Sequence, residues 1–275
     1  MRINHNISSM NTQASLFRTQ RSMAKNLEKL STGLRINRAS DDAAGLGVSE
    51  NLRTQVRGTA QAKKNALDGI SAINIAEGAA SEISDILQRM RELAVQSAND
   101  TLTSSERAYT NQEFGQLSAE IDRIAAVTNF NGQDLLSEAS TGRFGITGSN
   151  VLWVDANETV GLDSITVTID TLTAGSNGLD VVDDVLTSQT DAVAAITALD
   201  NAINSVNTMR SDLGAYVNRL EHAVTNLDVS NTNQQAAESQ IRDVDFAYET
   251  AQFTKNQILS QSATAMLSQA NMVPQ

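Results

Sequence analysis

The chain holds one proline in 275 residues, at position 274. Average usage of about 5% would give roughly fourteen. Proline breaks helix interiors because it lacks a donor and clashes with the preceding turn. Residues 1–273 are therefore open to long, uninterrupted helices. Apolar periodicity says where these run. Ile73, Ala76, Ala80, Ile83, Leu87, Met90 and Ala94 follow a strict 3,4 spacing. So do Ile196, Leu199, Ile203, Val206, Arg210, Leu213, Val217, Leu220, Val224 and Leu227, with Arg210 the one break. Phe114, Leu117, Ile121 and Ile124 give a shorter run. Such stripes hold one helix face against a partner, as in coiled coils and long bundles.

A helix from about Val48 to Ala98 would be roughly 75 Å long. A compact globule of this length has a diameter of about 50 Å. The expectation is a mainly α protein: an elongated rod of long antiparallel helices, with terminal coiled-coil segments and a small β-hairpin insert. The terminal seams are thin. Ile3, Ile7, Met10, Ala14 and Phe17 form one, and Leu259, Ala263, Met266, Ala270 and Val273 form the other. Isolated helices of that length are marginal in water, so both ends are expected to be loose in the monomer and ordered against a partner.

The character changes between about Leu136 and Thr190. Ile165, Val167 and Ile169 alternate with Thr166 and Thr168, a strand signal. Leu152 and Val154, followed by "DANETVGLD", read as the preceding strand and its turn. Nine acids and no bases lie between Asn150 and Asp200, so this acidic insert is expected to face solvent. Charge is uneven elsewhere too. The net of −12 divides into eleven Lys/Arg against four Asp/Glu in residues 1–64, and nine against twenty-eight beyond. With no basic block and a single aromatic, Phe17, the N-terminal arm predicts attraction to acidic segments of other subunits, not nucleic acid. No stretch approaches 18 apolar residues, so no membrane span is expected, and "MRINHNISSM" has no apolar core of a Sec-type leader.

Chemistry is hard to place. The stretch "LSTGLRINRASDDAAGLGVSENLR" (30–53) pairs Asp41 with Asp42 among arginines. A catalytic carboxylate pair needs a pocket that splits two pKa values, and no apolar lining surrounds it. Helix punctuation fits better: Gly33 closing one helix, Asp41 or Asp42 capping the next. His5 and His222 lie far apart without metal-ligand spacing. "GSNGLDVVD" is a single copy of a calcium-binding repeat that works by tandem stacking. "GRFGITG" lacks the Lys-Ser/Thr of a phosphate loop, and cysteine is absent altogether. No cofactor, metal or catalytic residue is expected.

Longer motifs add up to a family. "INHNISSMNT", "LEKLSTGLRINRASDDAAGLGVSENLRTQVRG", "DGISAINIAEGA", "ILQRMRELAVQSAND" and "EIDRIAAVTNFNGQDLL" resemble the N-terminal region of bacterial flagellin. "MRSDLGAYVNRLEHAVTNL" and "AESQIRDVDFAYETAQFTKNQILSQSATAMLSQAN" resemble its C-terminal region. The resemblance implies a structural subunit that polymerises with itself into the flagellar filament, outside the cell or in the periplasm. It implies an inner coiled-coil helix and connector (1–45), two parts of a helical rod (46–138 and 191–235), an insert (139–190) in place of large outer domains, and a C-terminal inner helix (236–275). Implied partners are an export chaperone, the filament cap, hook-associated proteins and the flagellin-sensing Toll-like receptor. For that receptor the matching positions are Arg89, Leu93 and Glu113, with Arg89 and Leu93 read as sharing a helix face off the seam. Arg35, Arg38, Asp41 and Asp42 become candidates for intersubunit or connector-locking ion pairs. A hook–filament junction protein is the nearest alternative, a signalling coiled coil a more distant one, and an enzyme in the insert is disfavoured because HExxH is missing.

Overall fold

The computed structural model describes residues 6–137, 150–157, 163–175, 178–181 and 186–272. Its elements in order are α1 (Ile7–Thr32), α2 (Ala43–Ser97), α3 (Ser104–Val127), β1 (Asn129–Phe130), β2 (Gln133–Asp134), β3 (Asn150–Trp153), β4 (Ser164–Val167), α4 (Gln189–Arg242) and α5 (Phe246–Met272). The chain divides into two compact units, one of residues 57–230 and one of residues 1–56 with 231–275.

In the 57–230 unit, α2 and α4 run antiparallel. Three ion pairs mark the alignment: Lys63–Asp228 at 2.7 Å, Glu77–Arg210 at 2.9 Å and Arg91–Asp200 at 2.6 Å. The Ile73–Ala94 stripe lies wholly in the core, every member without exposed surface. On α4, Leu199, Val206, Leu213, Leu220 and Leu227 are buried, but the other half of the line is set one residue earlier than the apolar spacing suggests. Ala195, Ala202 and Met209 are buried, whereas Ile196, Ile203, Val217 and Val224 are half-buried at the edge of the same core. The stripe is broader than a two-helix seam because the core behind it includes strand and α3 residues as well as α2. Arg210 no longer breaks a line. Met209 holds the core position, and Arg210 points its guanidinium at Glu77.

Helix α3 starts at a reciprocal capping box. Thr103 Oγ1 accepts the Glu106 N–H, and the Glu106 carboxylate accepts the Thr103 N–H at 2.7 Å. Its inner face is Phe114, Ser118, Ile121 and Ala125. A short hairpin then reverses at Asn131–Gly132, both with positive φ (53° and 74°). That is the requirement of the tight hairpin turn that Asn-Gly favours. In the insert β3 pairs antiparallel with β4, Leu152 opposite Ile165.

The insert does not stand out in solvent as its acidity suggests. Ile165, Val167, Ile169, Leu172, Ala174, Leu179, Val181 and Leu186 are all buried in the helical core. The alternation explains why: Thr166 and Thr168 are exposed on one face, while the aliphatic Ile165, Val167 and Ile169 take the other. Two glycines of α2 make room for the hairpin. A Cβ on Gly69 would sit 2.5 Å from a Leu152 methyl, and one on Gly58 would sit 2.5 Å from the Ala156 Cβ.

In the other unit α1 and α5 are antiparallel and their backbones come within 8 Å of each other. Small residues permit that approach: Ser9, Thr12 and Thr19 on α1, Ser260, Ala263 and Ala270 on α5. Asn6 caps α1, its side chain accepting the Ser9 N–H at 3.0 Å. The Asp245 carboxylate accepts the Ala247 and Tyr248 N–H groups and so starts α5.

Candidate assembly interface

The connector between α1 and α2 is locked by side chains of its own sequence. Gly33 ends α1 at φ 72°, its N–H reaching the Lys29 carbonyl at 2.9 Å. The next residues pair with the α4–α5 turn: Leu34 bridges Asp243, the Arg35 N–H donates to the Arg242 carbonyl at 2.7 Å, and the Val244 N–H donates to the Gly33 carbonyl. Ile36 is buried beneath them. Asp41 Oδ1 meets Lys25 Nζ at 2.7 Å, while its Oδ2 accepts the Asn37 and Arg38 N–H groups. Asp42 Oδ1 accepts the Gly45 N–H at 2.9 Å and caps α2. Arg38 pairs with Glu28 at 2.9 Å.

The four connector residues therefore do different work. Asp41 and Arg38 make ion pairs. Asp42 is a cap. Arg35 pairs with no carboxylate among the described residues of its own chain: its Nε and Nη2 both donate to the Ile241 carbonyl, at 3.1 and 2.5 Å, satisfying the C-terminal end of α4. The Lys25 ammonium is the main cause holding the Asp41 carboxyl below its ordinary range, with the two backbone N–H groups adding to it. Arg242, at 2.7 Å, does the same for Glu50.

Helix α1 carries two lines of 3,4 spacing. Ser9, Thr12, Leu16, Thr19, Met23, Asn26 and Leu30 are the covered line, and its polar groups reach α5: Ser9 Oγ to Asn271 at 2.7 Å, Asn26 to Glu249 and Asn256. The other line faces out. Ile7 is 53% exposed, Met10 60% and Phe17 55%, and Ala14 between them is exposed. Arg21 lies 4.4 Å over the Phe17 ring. On α5, Ala263 and Ala270 lie on the covered side, whereas Leu259 (44%) and Met266 (62%) are exposed, as are Ile258 and Met272. Ile3 and Val273 fall outside the described residues. Apolar spacing alone did not find Asn26 and Glu249, the buried polar pair of this helix pair; their place on a 3,4 line of mixed polarity was the available signal.

In the 57–230 unit, Arg89 joins Glu113 at 2.8 Å and Glu92 at 3.0 Å. Arg89 and Glu113 are about half exposed. Leu93, in contrast, is 1% exposed and belongs to the core. The placement of Leu93 beside Arg89 on an outer face is thus corrected: it lies next to Ala94 on the inward stripe, where an aliphatic side chain loses most water contact. Among the described residues no group of three His, Cys, Asp or Glu is placed to hold a metal ion, and no helix is long and apolar enough to cross a membrane.

Comparison with known proteins decides the family. Residues 3–141 match the bacterial flagellin N-terminal helical region, and residues 196–275 match the bacterial flagellin C-terminal helical region. The chain belongs to the bacterial flagellins. It is 50% identical to the flagellar filament 33 kDa core protein of Treponema phagedenis, over 100% of this chain and 98% of that one. It is 47% identical to a flagellin of Halalkalibacterium halodurans, over 100% and 97%. The crystal structure of Bacillus cereus flagellin is similar at 31% identity with a TM-score of 0.52, covering 64% of this chain and 94% of that one. Only residues 142–195 separate the two matched regions, so this is a flagellin without a large outer domain.

Proposed function

We infer that the chain is the structural subunit of a flagellar filament and that its terminal helix pair is the surface through which copies bind one another. One observation carries this. Ile7, Met10 and Phe17 on α1, with Ile258, Leu259 and Met266 on α5, are exposed in the single chain. Exposed apolar faces on paired helices mark protein–protein contact. Packing of many copies would bury what one chain leaves in water. The filament reading goes further by resemblance: these helices form the innermost layer, the chain leaves the cytoplasm by flagellar type III export, a chaperone guards the C-terminal segment, and the cap and hook-associated proteins meet the filament at its ends.

Arg89 and Glu113 present the surface proposed for the flagellin-sensing Toll-like receptor, with Leu93 supporting it from beneath. Arg89→Ala should weaken receptor signalling by released monomer, and undiminished signalling would remove Arg89 from that role. The filament reading is tested by electron microscopy of purified protein before and after seeding. Long tubular filaments are expected from the full chain and none from a chain lacking residues 1–30 and 255–275. A full chain that stays monomeric under every seeding condition would sink it.

A further inference from the structure

The structure sorts the methionines of the described residues by unit. Met90 and Met209 are buried in the core of the 57–230 unit, and Met23 is half-buried on the covered line of α1. Met10, Met266 and Met272 are 60%, 62% and 60% exposed, all on the terminal helix pair. Two hydrogen bonds set their heights. Asn6 Nδ2 donates to the Ala270 carbonyl at 2.8 Å, and Ser9 Oγ donates to Asn271 Oδ1 at 2.7 Å. Met10 thus stands level with the stretch from Met266 to Met272, which spans about 9 Å of helix. Three exposed thioethers share one end of the pair with exposed Ile7.

A methionine in water is both an adaptable apolar contact and a nucleophile. Its unbranched thioether fits irregular partner surfaces. Its sulfur lone pair also attacks hydrogen peroxide without help from a base or a metal. One peroxide oxygen is transferred to sulfur, the O–O bond breaks, and the second oxygen leaves as water with both protons. Sulfur is oxidised by two electrons and the peroxide is reduced by two. The product, methionine sulfoxide, is a polar, chiral side chain. In the free chain its oxygen is hydrated and costs the fold nothing. Closed against an apolar neighbour, it loses that water with no donor in its place.

We propose that Met10, Met266 and Met272 form a peroxide-modification site that withdraws the free chain from assembly. Peroxide marks these three sulfurs and spares Met90 and Met209, and the marked chain is refused by a growing filament. A chain already incorporated is shielded, because the same face is then covered. Sulfoxide reductases, one for each epimer, reverse the mark as a dithiol becomes a disulfide and the oxygen leaves as water. The marking stands on exposure alone; the refusal and the shielding rest on the filament reading.

The test treats the full-length monomer with hydrogen peroxide and maps added oxygen by peptide mass spectrometry. Met10, Met266 and Met272 should oxidise at least about tenfold faster than Met90 or Met209, since oxidation follows thioether access. Equal rates at all five would overturn the site. The oxidised chain should keep its helix content and thermal midpoint. Its critical concentration for seeded growth should rise about tenfold or more, as burial of an unpaired polar atom demands. Both reductases with dithiothreitol should return it to the starting value. Unchanged growth of the oxidised chain, a lost thermal midpoint, or no recovery with the reductases would overturn the refusal. Specificity is read from a variant carrying Met10→Leu, Met266→Leu and Met272→Leu, scored against itself before and after peroxide. Its critical concentration should not move with peroxide, although Met1, Met23, Met90 and Met209 remain. A rise as large as wild type's would overturn the proposal. Should that variant not assemble untreated, the peptide map and the reductase recovery of wild type decide. Preformed filaments should keep the three methionines reduced, and oxidation there at the monomer's rate would overturn the shielding. Untreated wild type that never polymerises counts against the filament reading, while the peptide map still scores the modification site.

Discussion

Two helix pairs of this chain use the same secondary structure to opposite ends. The α2–α4 pair in the 57–230 unit turns its apolar stripe inward, and Ile73, Ile83, Leu87, Met90, Leu199 and Leu213 have no exposed surface. The α1–α5 pair turns serines, threonines, an asparagine and a glutamate inward among Leu16, Met23, Leu30, Phe253 and Leu267, and leaves Ile7, Met10, Phe17 and Met266 in water. The first arrangement stabilises a monomer. The second leaves apolar surface exposed, which the proposed filament contacts would cover, and its connector end is tied by the backbone pairing of residues 33–35 with 242–244. The difference shows that apolar periodicity marks the apolar faces of a helix without saying which of them the chain covers by itself.

The sharpest way to break this comparison is to truncate one residue on each side of it. Leu87→Ala should destabilise the monomer by about 2–5 kcal/mol, the usual range for emptying a leucine site in a core. Phe17→Ala should change monomer stability by no more than about 0.5 kcal/mol, as for an ordinary surface position, yet abolish seeded growth. Denaturant unfolding followed by microscopy separates the two. Equal monomer destabilisation by both variants would erase the distinction. A smaller effect belongs to the connector. Asp42→Ala removes the α2 cap and should cost about 1 kcal/mol, seen as faster amide hydrogen exchange at Gly45 and Leu46 with the α3 amides unaffected.

Acid gives a gentler handle on the same junction. Asp41 has its pKa lowered, chiefly by the hydrogen bond from Lys25. A depressed carboxylate contributes stability above its unfolded pKa and loses it as pH falls through the folded one. The Asp41 contribution should therefore be complete at neutral pH and fade as pH drops below the ordinary value of 3.8. Carboxyl-carbon NMR titration of wild type, with Asp41→Asn to assign the signal and remove that part of the acid response, checks it. Smallest of all, Lys63→Ala should cost well under about 1 kcal/mol, because both Lys63 and Asp228 are substantially exposed. A larger loss by thermal unfolding would mean that the ion pairs of the 57–230 unit hold its alignment and do not merely mark it.

Much of the fold was legible in the sequence. The Ile73–Ala94 run was a core stripe as spaced, the strands expected about Leu152–Val154 and Ile165–Ile169 form at 150–153 and 164–167, and the motifs at both ends carried the family. The short hairpin at Asn131–Gly132 went unread although Asn-Gly is its plainest signal, because only two residues on each side pair. The candidate site was legible as a set of residues and not as an arrangement. Within its own chain Arg35, a candidate for connector or intersubunit ion pairs, serves a carbonyl, and Leu93 looked like a surface residue but sits in the core. Charge and spacing name what a side chain can do; which partner it meets depends on what the fold brings opposite.

The connector at residues 30–53 shows where the line between the two falls. The sequence by itself determined that one helix ends at Gly33 and another starts after Asp42, since positive φ and a free carboxylate are local requirements met by local residues. It also determined the apolar lines of α1 and α5, because helical spacing is a property of the chain alone. Only the tertiary structure decided that Ile7, Met10, Ala14 and Phe17 face outward, that the α5 line divides between covered Ala263 and Ala270 and exposed Leu259 and Met266, and that Asn26 and Glu249 take the inward place. Small residues such as Ser9, Thr12, Ser260 and Ala263 let the backbones close together and alternate with Leu16, Met23, Phe253 and Leu267 on the covered side, so the seam is filled by that mixed line and the second apolar line of α1 stays in water.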